Sequence, residues 1–188
     1  MFRYLISGMF VVAIILASGS YFFLPYWEHR YDDLIARQAR VYRLDEKLVW
    51  SLIYEETYFR TWKIGAAEEV GLMQVTPLVA RDWAKETGFK EFEKQTAENA
   101  VEFLRDPERN IQVGSWYLEK IREKYRGRPA ETAMTLAAYN AGPSRVEEWT
   151  SGTQQISEAE FLARIAIPST KSYVSSILER YRTEQDKR

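Results

Sequence analysis

The chain has 188 residues, a length that suits one compact domain with a short appendage. With 46% apolar and 28% charged residues it has a globular composition, and a net charge of -1 offers no basic field to nucleic acid. Cysteine is absent and His29 is the single histidine, which excludes disulfides, thiolate nucleophiles, lipid attachment through cysteine and His- or Cys-rich metal sites.

No charged side chain occurs from Tyr4 to Trp27, and the centre of that run reads Met9-Phe10-Val11-Val12-Ala13-Ile14-Ile15-Leu16. A helix rises about 1.5 Å per residue, so the run can cross a hydrocarbon core of about 30 Å. Phe2 and Tyr4 stand before it and Tyr21, Phe22, Phe23, Tyr26 and Trp27 close it, as in an interfacial belt. Arg3 precedes the run; Asp32 and Asp33 follow it. The pattern predicts a transmembrane signal anchor over residues 1–27, with the domain outside the cytoplasmic membrane. A signal peptide processed near Ala17-Ser18-Gly19 is the alternative, although the apolar run continues to Leu24 and favours an anchor.

Residues 28–44 read as a juxtamembrane helix, residues 45–182 as the domain, and residues 183–188 as a polar tail. Asp45 is placed to cap a helix carrying Leu48, Val49, Leu52 and Ile53. Thr76-Pro77 pairs an N-cap with proline at the first helical position, and Gly88 ends that segment. Asp106-Pro107 repeats the device ahead of a helix expected to reach Gly127. Pro129 opens another, closing near Gly142-Pro143. The last, Ser172 to Tyr181, carries Tyr173, Ile177, Leu178 and Tyr181 at helical spacing. No alternating strand stands out, so the fold class is mainly α, built from short helices.

Two adjacent acids, Glu55 and Glu56, end the second of these helices. At about 100° per residue, Glu56 follows Ile53 by three positions and Leu52 by four, near the middle of the apolar arc, while Glu55 falls at its edge. A carboxylate on a buried face is costly unless neutral or partnered. Desolvation raises its pKa, which is what a general acid working near neutrality requires. Glu56 is therefore the candidate acid; the plainer alternative is that it ends the stripe and reaches water.

Four strings follow one another in order: Glu56-Thr57-Tyr58-Phe59, Gly71-Leu72-Met73-Gln74, Asn110-Ile111-x-x-Gly114-x-x-Tyr117-Leu118 and Ala138-Tyr139-Asn140-Ala141-Gly142. Together they resemble the Slt-type lytic transglycosylases, over roughly Val41 to Tyr181. The resemblance implies a lysozyme-like (goose-type) helical domain, with residues 60–70 the place to look for a small β element. It implies Glu56 as the catalytic residue and Gly71, Leu72, Met73, Gln74, Tyr139, Asn140, Thr57 and Tyr173 as substrate-binding residues. Gly71 would let backbone approach the glycan, and Gln74 would hydrogen-bond substrate near the scissile bond. Leu72 and Met73 would give apolar surface there or pack in the core. Tyr139 would reach the catalytic carboxyl or a sugar. Many members carry a serine where this chain has Gly65, and an acid where it has Ser169; Glu68 and Glu69 read as solvent-facing.

The implied reaction breaks the bond between N-acetylmuramic acid and N-acetylglucosamine in peptidoglycan. Glu56 acts first as acid and then as base, leaving a 1,6-anhydro end. No cofactor or metal is implied, the partners are the glycan strand and the membrane, and any envelope machinery is unspecified. A hydrolytic muramidase on the same fold and a non-catalytic glycan-binding wall protein are the rival readings.

Overall fold

The computed structural model describes residues 19, 21, 23–88, 90–153 and 155–187. Most of the expected anchor, residues 1–27, lies outside them; among the described residues no helix is long and apolar enough to cross a membrane. The chain divides into two units, Met1–Asp33 and Leu34–Arg188. In the first, residues 23–29 are helical. Phe23 packs on Trp27 at 5.7 Å between ring centroids, and the Arg30 guanidinium lies 3.4 Å over the Trp27 ring.

The described residues form α1 (Asp32–Val41), α2 (Glu46–Thr57), α3 (Pro77–Thr87), α4 (Lys90–Arg105), α5 (Pro107–Arg122), α6 (Glu131–Ala141), α7 (Pro143–Trp149), α8 (Glu158–Arg164) and α9 (Pro168–Asp186). The starts of α2, α3 and α5 follow the expected chemistry. Asp45, Thr76 and Asp106 each accept a hydrogen bond from a backbone N–H of the first turn, and proline opens α3 and α5. The helix expected to reach Gly127 ends at Arg122. The helix after Pro129 starts at Glu131, and the last helix starts earlier, at Pro168, and continues into the polar tail as far as Asp186.

Helix α2 is deeply buried. Beyond the predicted arc of Leu48, Val49, Leu52 and Ile53, it also buries Trp50, Ser51 and Thr57, so it is enclosed nearly all round. Burial of each large apolar side chain there contributes about 1.5–3 kcal/mol. Helix α9 lies along α2 and α6, and α6 packs on α5 and α7. Between α2 and α3 the chain makes two isolated antiparallel bridges, Ile64 with Val70 and Val70 with Val75. This is the small β element expected near residues 60–70, and it extends further, to Val75.

Candidate active site

The site is assembled from the end of α2, the loop after it, the first turn of α3, and one face each of α5, α6 and α9. Tyr58, in the left-handed region at φ 50°, caps α2, and Phe59 follows at φ 59°. Two successive non-glycine residues rarely adopt this conformation. Packing holds them: Phe59 is fully buried against Trp50 at 5.3 Å, and Tyr58 meets Tyr54 edge-on at 4.9 Å. The chain therefore turns sharply just after Glu56 and brings the loop back over it.

Glu56 and Glu55 part company as the helical count predicts. Ser176 and Arg180 of α9 reach the Glu55 carboxylate, at 2.8 and 3.5 Å. Glu56 faces a cleft of about 250 Å³ instead, sharing its walls with Glu69, Gln74, Tyr117, Tyr139 and Asn140. The Tyr173 hydroxyl donates to Glu56 Oε1 at 2.6 Å. Burial pushes the Glu56 carboxyl up to about 7; the Tyr173 hydrogen bond and the Lys63 charge pull it down, and the charges of Glu69 and Glu55 push it up. Lys63 also donates through Nζ to the Glu56 backbone carbonyl, which keeps its ammonium near the carboxyl. A polar hollow of about 680 Å³ lies at the opposite end of α2, beside Asp45 and Gln185. Its Asp45 carboxylate is already engaged by Lys47 N–H, Tyr181 and Gln185.

The Gly71-Leu72-Met73-Gln74 string is mainly scaffold. Leu72 and Met73 are fully buried and pack in the core. Gly71 has φ 73°, and a Cβ there would stand 2.4 Å from Asn110 Nδ2 and 2.9 Å from the Leu104 carbonyl oxygen. The groups crowding Gly71 thus belong to the protein. Asn110 Oδ1 accepts from Met73 N–H at 2.8 Å, while its Nδ2 donates to the carbonyls of Val70 and Leu104, at 2.7 and 2.9 Å. Gly114, one turn further on, makes room for Met73: a Cβ would meet its Sδ at 2.5 Å. Thr57 is also buried, its hydroxyl 3.0 Å from the Leu72 carbonyl oxygen.

Gln74, at φ 47°, lines the cleft, and its Nε2 donates to the carbonyls of Gly71 and Lys63 at 2.9 and 3.2 Å. Tyr139 lines the cleft too, but its hydroxyl donates to the Met73 carbonyl at 2.7 Å. The hydroxyl that reaches the acid is that of Tyr173. Asn140 is exposed on the cleft rim and accepts from Thr170 of α9 at 2.8 Å. Of the predicted set, Glu56, Gln74, Tyr139, Asn140 and Tyr173 come together at the cleft; Thr57, Gly71, Leu72 and Met73 support it from within.

Sequence reasoning missed Tyr117, Val75, Thr76, Val79 and Glu69 as cleft-lining residues. Tyr117 follows Gly114 by three on α5, so helical spacing could have placed it beside the Met73 contact; its ring lies 5.4 Å from that of Tyr139. Glu69 faces the cleft rather than open solvent, because the turn after Ile64 folds back on itself.

Comparison with known proteins identifies the family and the fold. The family model described as "Transglycosylase SLT domain" matches residues 33–162. A membrane-bound lytic murein transglycosylase C from Actinobacillus succinogenes is 32% identical over 122 residues, covering 62% of this chain and 32% of the relative. A soluble lytic murein transglycosylase from Salmonella typhimurium is 25% identical over 160 residues, covering 81% of this chain and 23% of the relative. The chain thus spans about a quarter to a third of these curated relatives. The crystal structure of the 70 kDa soluble lytic transglycosylase Slt70 from Escherichia coli superposes with a TM-score of 0.68 at 25% identity, covering 83% of this chain and 24% of that one. The complex of a 70-kDa soluble lytic transglycosylase with bulgecin A gives a TM-score of 0.70 at 24% identity, with 86% and 25% covered. With a helical fold of this kind, a cleft built on Glu56 and a family match over most of its length, the chain belongs to the transglycosylase SLT domain family.

Proposed function

We propose that the protein is a peptidoglycan lytic transglycosylase, held at the cytoplasmic membrane by residues 1–27 with its domain on the outer side. The observation that carries this reading is Glu56: a carboxyl with its pKa raised to about 7, open to a cleft and held by Tyr173. Relatives named lytic murein transglycosylases support the substrate. The uncharged run from Tyr4 to Trp27 supports the anchor.

Because the Tyr173 hydroxyl donates to Oε1, the proton of the neutral carboxyl sits on Oε2. From there it passes to the oxygen linking N-acetylmuramic acid to N-acetylglucosamine. The bond from that oxygen to the muramoyl anomeric carbon breaks, and positive charge develops on the ring. The Glu56 carboxylate then takes the proton of the muramoyl C6 hydroxyl, whose oxygen bonds to the anomeric carbon. The acid is regenerated, the product ends in a 1,6-anhydro sugar, and no water is consumed. One carboxyl alternating between acid and base suffices for the proton transfers, and the scheme calls for no metal or cofactor.

The reading is tested with the full-length protein in detergent on purified peptidoglycan. Glu56→Gln is expected to lower sugar release by about 10²–10⁴-fold; unchanged release would overturn the assignment. Removal of residues 1–27 is expected to shift the protein from the membrane to the soluble fraction, and unchanged membrane partition would remove the anchor from the account.

A further inference from the structure

The turn between Ile64 and Val70 brings Glu69, read from the sequence as solvent-facing, to the wall of the cleft. Gly65 N–H donates to the Glu69 carbonyl at 2.7 Å, which closes the turn and folds the Glu69 side chain back across Gly65. A Cβ on Gly65 would stand 2.2 Å from Glu69 Oε2 and 3.0 Å from Gln74 Oε1. The Glu69 carboxylate therefore occupies the space that a side chain at position 65 would fill. Ala67 N–H donates to Oε2 at 2.9 Å and holds it there. Among the described residues no lysine or arginine forms an ion pair with this carboxylate, and it lines the same cleft as Glu56 and Gln74.

A carboxylate kept at the mouth of a sugar cleft without a cationic partner is placed to interact with a positively charged substrate state. Taking the proposed reaction as its basis, we propose that Glu69 is a second acidic group of the catalytic cleft, its carboxylate countering the charge that develops on the muramoyl ring as the glycosidic bond breaks. Glu69 forms no bond to the substrate and exchanges no proton in this role. The vacancy at Gly65 is what admits it.

The same negative charge helps to keep Glu56 protonated, which gives a readout that a loop staple would not move. The charged and titratable groups around Glu56 are Glu55 on its own helix, Lys63 and Glu69 on the loop, Tyr139 of α6 and Tyr173 of α9. Of these, Glu69 and Glu55 raise its pKa, and Lys63 and the Tyr173 hydrogen bond lower it. Neutralising Glu69 therefore moves the loss of activity with rising pH to lower pH.

The test compares the full-length wild type with Glu69→Gln, Gly65→Ala and the double change Gly65→Asp with Glu69→Ala, on soluble glycan strands across pH. Glu69→Gln is expected to lower kcat by about 10²-fold, with KM little changed and the upper pH limit shifted down. Gly65→Ala, whose Cβ displaces the carboxylate and also crowds Gln74 Oε1, is expected to act in the same direction and serves if Glu69→Gln folds poorly. The double change returns a carboxylate near the same point and is expected to recover much of kcat. If Glu69→Gln and Gly65→Ala both keep the wild-type kcat and pH profile while Glu56→Gln is inactive, the role of Glu69 is refuted and the proposed function stands. If Glu56→Gln retains full activity, the proposed function itself fails.

Discussion

At the scale of single residues, two carboxyls one position apart are given different work by what surrounds them. Glu55 is engaged by Ser176 and Arg180, whereas the half-buried Glu56 has one hydroxyl partner and an opening to the cleft. Tyr173 places Oε1 and also lowers the pKa of the acid by donating to it. Tyr173→Phe is therefore expected to lower kcat by roughly tenfold, by loosening a positioned general acid. It should also extend activity to higher pH, since the proton is then held more tightly. A kcat/KM profile against pH checks both signs; a profile moved to lower pH would contradict the role. That Glu56 and Glu55 point to different surroundings was legible in the helical count. That Tyr173 rather than Tyr139 reaches the acid was not, because it depends on how α9 lies along α2, 117 positions away in the chain.

At the scale of elements, the loop carrying Gly71 to Gln74 is held by α5 rather than by its own hydrogen bonds alone. Asn110 pairs with Met73 N–H and two carbonyls, and Gly114 admits the Met73 side chain. Asn110→Ala would take their side-chain partner from the buried Met73 N–H and the Leu104 carbonyl, while the Val70 carbonyl keeps Val75 N–H; a loss of about 2–4 kcal/mol in urea unfolding is expected, with activity falling alongside. A loss under about 0.5 kcal/mol would show that the loop holds itself. Helices opened by Asp45, Thr76-Pro77 and Asp106-Pro107 were readable because the capping chemistry is local. Helix α4 was not assigned, although its buried Thr96, Ala100, Phe103 and Leu104 stand at helical spacing; no proline or capping pair marks its start as Asp106-Pro107 marks the next, and the backbone leaves the helical region at Asn99. Asn99 caps the second stretch by accepting from Glu102 N–H at 3.1 Å. Helix α7, at 7 residues, is too short for periodicity to register. Helix α8 could have been found, since Ser157 and Glu160 form a full capping box.

At the scale of the whole molecule, the site is maintained against the stability of the domain. The folded state raises the Glu56 pKa from 4.5 to about 7, so it holds a proton that the unfolded chain releases. The stability contributed by this group is fully present below about pH 4.5 and is lost as pH rises through about 7. Glu56→Gln, which still accepts from Tyr173 but cannot ionise, is expected to stabilise the protein by roughly 2–3 kcal/mol at pH 8 and by little at pH 4. Thermal or urea unfolding of the two proteins at both pH values measures this difference. Equal stability at pH 8 would mean that Glu56 ionises in the fold without strain, and would remove the basis for its acid role. A stability gain bought with lost activity is the trade expected of a working site. The mainly α class and the order of the motifs were legible from the chain. The cleft itself was not, since it is formed by side chains from four helices and a loop whose two isolated bridges leave no alternating pattern.

The most direct test is mass spectrometry of the sugars that the full-length protein and its Glu56→Gln variant release from purified peptidoglycan. Fragments ending in 1,6-anhydromuramic acid from the wild type, and almost none from the variant, are the predicted result. Fragments ending in a reducing sugar, one water heavier, would contradict the transglycosylase reading in favour of hydrolysis, and equal release by the variant would contradict the role of Glu56.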